Sequence, residues 1–309
     1  MNHDLDVIDI NPRGYCKGVV RALRIVKNTR EMYPNLKISI LGKIVHNRFI
    51  TKALDYYQID TVDKAGLSRD ELLEYVDQGI LILSAHGSSE KVKKQALAKG
   101  LKIIDAACHD VLSTHYLIRD ALDAGKQILF IGKNNHPETE AVLENFPQAK
   151  LVTSVSELKN LDLDESKPIF VTNQTTLSIL EIQDVLANII ALYPNAEIAD
   201  EICGATRVRQ EAVLKKSKLD ALIVVGDPDS NNTAMLAQIG RDNGVPFVQR
   251  IETLEDLNLG IFKKGWKVGI SSGASTPTYL TEMISDYLKL VDLANPQKRP
   301  QIDLTKILD

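Results

Sequence analysis

The chain has 309 residues, 44% of them hydrophobic, a formal net charge of −4 and three cysteines. That length can bury a sizeable core, and the acidic balance argues against nucleic acid as the main partner. No run approaches the ~18 apolar residues of a membrane span and no basic segment precedes an apolar one at MNHDLDVIDI, so a soluble, cytoplasmic chain with no membrane partner is expected.

Taken in order, the chain repeats one theme. The apolar segment LDVIDINPRGY leads to Cys16, and a helical periodicity follows over 17–33. ISILG is a buried strand ending at Gly42, with His46 four places on. LILSAHGSS is another, with His86 at its end. The theme restarts at LKIIDAA, which leads to Cys108 and a helical pattern over 109–125. ILFIG then ends at Gly132 with His136 four places on, and IFVTNQTTLS closes on Thr175 and Thr176. AEIADEI leads to Cys203 and a helix over 204–217. LIVVG ends at Gly226 with Ser230 four places on, and VGISSGASTP closes on Ser275. The tail after Leu293 is polar, broken by proline, and expected to wrap the surface.

The cysteines fall at nearly even intervals of about 95 residues, and internal repetition fixes architecture before any local motif does. Three βα-rich units follow, their short apolar strands alternating with helices as buried parallel strands do. Such sheets bind ligands beyond the C-terminal ends of their strands. Every polar residue named above lies at such an end, so one shared cleft on a pseudo-threefold axis is expected.

A thiol at a helix N-terminus is biased toward thiolate, the form that ligates metal. Three such thiols leave a zinc ion one ligand short, or a cubane iron–sulfur cluster with one iron open to substrate. The plain alternative is three unrelated buried cysteines acting as small hydrophobes. An odd, dispersed count does not describe a disulfide framework. His46, His86 and His136 at repeated positions suit a phosphate or diphosphate group. His3 is read as inert, His115 as packed or solvated, and His109 as a surface residue or a fourth metal ligand. Glu138 lies in the first turn after Pro137, an ordinary helix start, yet a carboxyl there can relay protons. Thr175, Thr176, Ser230, Asn231, Asn232 and Ser275 offer donors at strand ends, or simple N-caps. No GxxxxGK[ST], GxGxxG, HExxH or GxSxG pattern is present.

The segments NPRGYCKGV, IVHN, SAHG, GKNNHPETE, TNQTTLS, EICGATRVRQEA and SSGASTP, in that order, resemble the 4-hydroxy-3-methylbut-2-enyl diphosphate reductase (LytB/IspH) family. The resemblance spans about residues 10–285. It implies an α/β trefoil of three pseudo-threefold-related lobes, each with a small, mostly parallel sheet, over 17–107, 108–202 and 203–309 with 1–16. It implies one [4Fe–4S] cluster per chain held by Cys16, Cys108 and Cys203, a small diphosphate substrate, and a low-potential donor of ferredoxin or flavodoxin type. By the same resemblance His46, His86, His136, Ser230, Asn231, Asn232 and Ser275 bind the diphosphate. Glu138 delivers protons, and Thr175 holds the substrate hydroxyl in a network with it. The implied reaction is a two-electron reductive dehydroxylation giving isopentenyl and dimethylallyl diphosphate, the last step of the non-mevalonate isoprenoid route.

Some positions depart from the family's usual residues: Ala107 and His109 around Cys108, Gly204 after Cys203, Arg207-Val208, and the loop GDPDSNNTAML, where Asn231 stands for the usual Ser. Asp227 and Asp229 are expected to bring negative charge near the diphosphate. A divergent paralogue with the same cluster and another small anionic substrate is one alternative. A non-redox zinc or thiol protein binding a phosphorylated ligand is the other.

Overall fold

Runs such as ILIL at 80–83 and ALIVV at 221–225 are buried along their whole length, as strands covered on both faces must be. The computed structural model describes residues 4–164, 166–199, 201–216 and 218–309, so His3 lies outside the described residues. In chain order the elements are β1 (Asp6–Asp9), α1 (Lys17–Met32), β2 (Ile38–Leu41), α2 (Arg48–Tyr56), β3 (Asp60–Val62), α3 (Arg69–Leu73), β4 (Ile80–Leu83), α4 (Glu90–Ala98) and β5 (Lys102–Asp105). There follow α5 (His109–Asp123), β6 (Gln127–Ile131), α6 (Pro137–Asn145), β7 (Lys150–Val152), β8 (Ile169–Asn173), α7 (Ile179–Leu192) and β9 (Glu197–Ile198). The last are α8 (Gly204–Leu214), β10 (Ala221–Val225), α9 (Asn231–Asp242), β11 (Phe247–Ile251), β12 (Lys267–Ser272) and α10 (Thr278–Leu290).

The strands form three four-stranded sheets of one plan: β3-β2-β4-β5, β7-β6-β8-β9 and β11-β10-β12-β1. All of their pairings are parallel. The third sheet is completed by the chain's own first strand, Ile8 lying opposite Gly269. The α/β class and the three small parallel sheets expected from the sequence are both found.

The chain divides into two compact units. The first comprises Met1–Val20, Val45–Tyr57 and Gly204–Asp309 and holds the β11-β10-β12-β1 sheet. Alternate residues of β10 serve opposite faces: Ile223 and Val225 pack with Ile284 and Leu288 of α10, Leu222 and Val224 with Val213 of α8 and Leu236 of α9. The second unit, Arg21–Ile44 with Gln58–Cys203, holds the other two sheets. In one, Leu81 and Leu83 cluster with Leu72 of α3 and Val92 of α4. In the other, Leu129 and Ile131 meet Ile182 of α7, while Ile128 and Phe130 meet Ile118 of α5 and Val142 of α6.

The expected helix over 204–217 ends at Leu214, and its last position lies outside the described residues. The tail is more than a surface wrap. Ile307 and Leu308 are buried, and the Tyr15 hydroxyl donates to the Ile307 carbonyl at 2.6 Å. Among the described residues no helix is long and apolar enough to cross a membrane.

Candidate active site

Each cysteine is half-buried, lies outside any disulfide, and immediately precedes a helix: α1 after Cys16, α5 after Cys108 and α8 after Cys203. Their backbones are held alike. The Cys16 N–H donates to the Ala274 carbonyl at 3.0 Å, that of Cys108 to Ala85 at 2.9 Å, and that of Cys203 to Thr175 at 3.0 Å. Each acceptor lies two residues beyond its strand, β12, β4 and β8 in turn. The residues that follow these acceptors are Ser275, His86 and Thr176. Strand end and thiol are thus tied together three times over by one backbone bond. The Val19 N–H also points at the Cys16 sulfur, 3.4 Å away.

In the second unit, β6 gives way to the loop Lys133–Asn135, and Asn135 takes the left-handed conformation (φ 59°) that Asn tolerates. The chain then enters α6 with His136 as N-cap, its Nδ1 accepting the Glu138 N–H at 3.2 Å. Pro137 occupies the first helical position, where its missing N–H costs nothing. Glu138 is 1% exposed. Its Oε1 accepts the Thr175 N–H at 2.9 Å and its Oε2 the Thr175 hydroxyl at 3.0 Å. Burial pushes the carboxyl up to about 7, against the lowering pull of both Thr175 donors and with a further push from Asp110. A carboxyl that titrates there is poised to give and take protons near neutral pH. The rings of His86 and His136 stand edge to face, 5.9 Å between centroids.

In the first unit, His46 directly precedes α2, whose N-cap is the buried Asn47; Asn47 Oδ1 accepts the N–H groups of Phe49 and Ile50 at 3.0 and 3.2 Å. His46 is therefore one place ahead of the cap, whereas His136 and Ser230 are themselves caps. The Ser275 hydroxyl donates to the His46 carbonyl at 3.0 Å. Ser230 caps α9 by accepting the Thr233 N–H at 3.3 Å, and Asn231, half-buried, is the first residue of that helix. Asn232 is buried, donates from Nδ2 to Thr206 Oγ1 at 3.2 Å, and accepts the Ala274 N–H at 3.2 Å. Gly226, after β10, has no room for a side chain: a Cβ would lie 2.3 Å from Thr233 Oγ1.

Asp227, just after β10, is tied to the backbone. It is 4% exposed, and its oxygens accept two backbone N–H groups, Arg48 at 2.9 Å and Asp229 at 2.8 Å. Its charge is turned into the protein. Asp227 stood out in the sequence only as a charge; Arg48, whose amide it accepts, and the cap Asn47 did not stand out at all.

His109 is exposed at the start of α5. His115 is packed: it is 9% exposed, lies 5.7 Å from the Phe146 ring, and pairs through Nδ1 with Asn145 Nδ2 at 3.2 Å. Among the described residues no three His, Cys, Asp or Glu side chains are grouped to hold a single metal ion. A zinc tetrahedron needs its thiolates gathered ~2.3 Å from one atom, while a cluster takes one thiolate per iron. Three half-buried thiols outside any disulfide, each at a helix N-terminus, are the donor chemistry that the cluster requires.

The model of the LytB protein family matches residues 7–289. The chain belongs to the LytB family. Among LytB relatives, one from Anoxybacillus flavithermus is 42% identical over 311 residues, covering 98% of each chain, and is named 4-hydroxy-3-methylbut-2-enyl diphosphate reductase. A Listeria monocytogenes protein of the same name is 44% identical over 295 residues, covering 94% of this chain and 88% of the relative. The solved structure of the E-1-hydroxy-2-methyl-but-2-enyl-4-diphosphate reductase from Plasmodium falciparum superposes with a TM-score of 0.86 at 30% identity, over 100% of this chain and 97% of that one. The LytB fold thus accounts for all three sheets.

Proposed function

We infer that this LytB chain is a reductase of 4-hydroxy-3-methylbut-2-enyl diphosphate, forming isopentenyl and dimethylallyl diphosphate. The allylic C–O bond breaks, two electrons enter from outside, and two protons are consumed, one leaving with the oxygen as water and one ending on carbon. The observation that carries this reading is the buried Glu138 carboxyl, clasped by Thr175 and titrating near neutrality.

Cys16, Cys108 and Cys203 are the residues we assign to a [4Fe–4S] cluster, one per chain. When bound, such a cluster passes electrons singly and offers an open iron as Lewis acid to the leaving oxygen. The similar strand-end tethers of the three thiols support the assignment. Three cysteines outside any disulfide suit a reducing, cytoplasmic setting, and the two electrons are assigned to a low-potential donor of ferredoxin or flavodoxin type.

Glu138, its carboxyl pushed up by burial to about 7, gives its proton to the departing hydroxyl, and Thr175 orients both that hydroxyl and the carboxyl. His46, His86 and His136 take the diphosphate, with Ser230, Asn231, Asn232 and Ser275 adding donors. The N-termini of α6 and α9, which follow His136 and Ser230, favour an anion. Asp227, in the same loop as Ser230, accepts the amides of Arg48 and Asp229.

The test is turnover by freshly isolated, oxygen-free protein supplied with dithionite and a viologen. Release of isopentenyl and dimethylallyl diphosphate is expected. Intact substrate returned from iron-replete protein would reject the assignment.

A further inference from the structure

The side chains expected to grip the diphosphate in the first unit come from separate loops, and one carboxylate joins two of those loops. Asp227 Oδ2 accepts the N–H of Arg48, the first residue of α2. Its Oδ1 accepts the N–H of Asp229, next to the cap Ser230. With Asn47 Oδ1 taking the N–H groups of Phe49 and Ile50, the first three amides of α2 are satisfied by two side chains. Only Asn47 is local; Asp227 arrives from the end of β10. A carboxylate at a helix N-terminus gains from the dipole as well as from the hydrogen bond. The Ser275 hydroxyl fixes the carbonyl of His46 from a third loop. His46 is therefore held from both sides, at its own carbonyl and two residues on.

We propose that Asp227 is a positioning residue for the diphosphate site, setting His46 through the Arg48 amide and Ser230 through the Asp229 amide. This rests on the reading that His46 and Ser230 bind the diphosphate. The alternative for an acid in this loop is repulsion of substrate, and the two ideas predict opposite signs on removing the charge.

The N-terminus of α2 offers a clean probe. Proline is well suited to a first helical position and lacks the N–H, and it requires extended backbone before it; Asn47 has φ −163° and ψ 118°. Arg48→Pro and Arg48→Ala both lose the Arg48 side chain, which contacts Glu252 at 2.6 Å, but only the proline variant loses the amide that Asp227 accepts. Binding of inorganic diphosphate is measured by calorimetry on the full chain, with KM and kcat on the cluster-loaded enzyme.

Arg48→Pro should bind diphosphate about tenfold more weakly than Arg48→Ala, with KM rising in step and kcat within about twofold. In an Asp227→Ala background the proline and alanine variants should bind alike, since the acceptor is gone. Asp227→Asn should also bind more weakly than wild type. Equal affinity of the proline and alanine variants in the Asp227 background, or tighter binding by Asp227→Asn, would overturn the proposal. Wild-type protein that neither binds diphosphate nor turns over would overturn the functional reading itself, and this proposal with it. Should Asp227→Ala fail to fold, the proline–alanine comparison at Arg48 in otherwise wild-type protein alone decides.

Discussion

Glu138 accepts two hydrogen bonds from one residue, the amide of Thr175 at 2.9 Å and its hydroxyl at 3.0 Å, in a setting where the carboxyl is almost wholly buried. Replacing Glu138 by Gln keeps the shape and removes the transferable proton. Turnover should fall by about 10²–10⁴, the usual contribution of a general acid, while iron content and diphosphate affinity stay near wild type. Anaerobic kinetics alongside iron analysis check this; near-normal turnover in the Gln variant would mean another group supplies the proton.

The same carboxyl makes stability depend on pH. Its folded value, about 7, lies above the ordinary carboxylate value of about 4.5, so folding favours the protonated form. That contribution is complete below about pH 4.5 and is lost as pH rises through 7. Glu252 is also pushed up to about 7, by burial first and despite Arg48, and adds to the same window. Thermal melts of wild type and Glu138→Gln from pH 5 to 8 isolate the first group: the wild type should lose ground to the variant as pH rises. Parallel curves would contradict the burial argument. In kinetics, kcat/KM should decline above about pH 7 as the acid is lost.

Cys16→Ser, Cys108→Ser and Cys203→Ser should each lose the cluster, because a hydroxyl is a poor substitute for the thiolate that iron prefers. Iron and sulfide content of anaerobically isolated variants reads this directly. Full iron in any one variant removes that residue from the ligand set.

His136 has two jobs that mutation can separate. As N-cap it accepts the Glu138 amide, and as an imidazole it is assigned to the diphosphate. His136→Asn should preserve the cap and melting temperature yet lose affinity, whereas His136→Ala should lose both, the cap costing about 0.5–2 kcal/mol. His86→Ala should weaken binding by about 1–3 kcal/mol, as a lost charge-assisted contact does. An unchanged dissociation constant would place His86 outside the pocket.

Much of the architecture was legible because each buried parallel strand is a short, continuous apolar run with a polar residue just past its end. ISILG, ILFIG and LIVVG are the same strand in three sheets, and the repeat exposed Cys16, Cys108 and Cys203 as equivalent. The edge strands β3, β7 and β11 escaped notice: two of them have three residues each, DTV and KLV, too few to show periodicity. The candidate acid was legible only by resemblance, since Pro137 with an acid in the first turn is an ordinary helix start. What the sequence hid was direction. Asp227 reads as negative charge brought near the diphosphate, and only the fold shows its oxygens taking two backbone amides. Charge alone says nothing about which way a side chain faces.

The central claim is that three widely separated cysteines equip this chain with an iron–sulfur cluster, and it is tested most directly by metal and sulfide analysis of protein isolated without oxygen. A brown protein with about four irons and four sulfides per chain is the expected result. A colourless protein carrying zinc, or no metal, after anaerobic isolation would contradict the account.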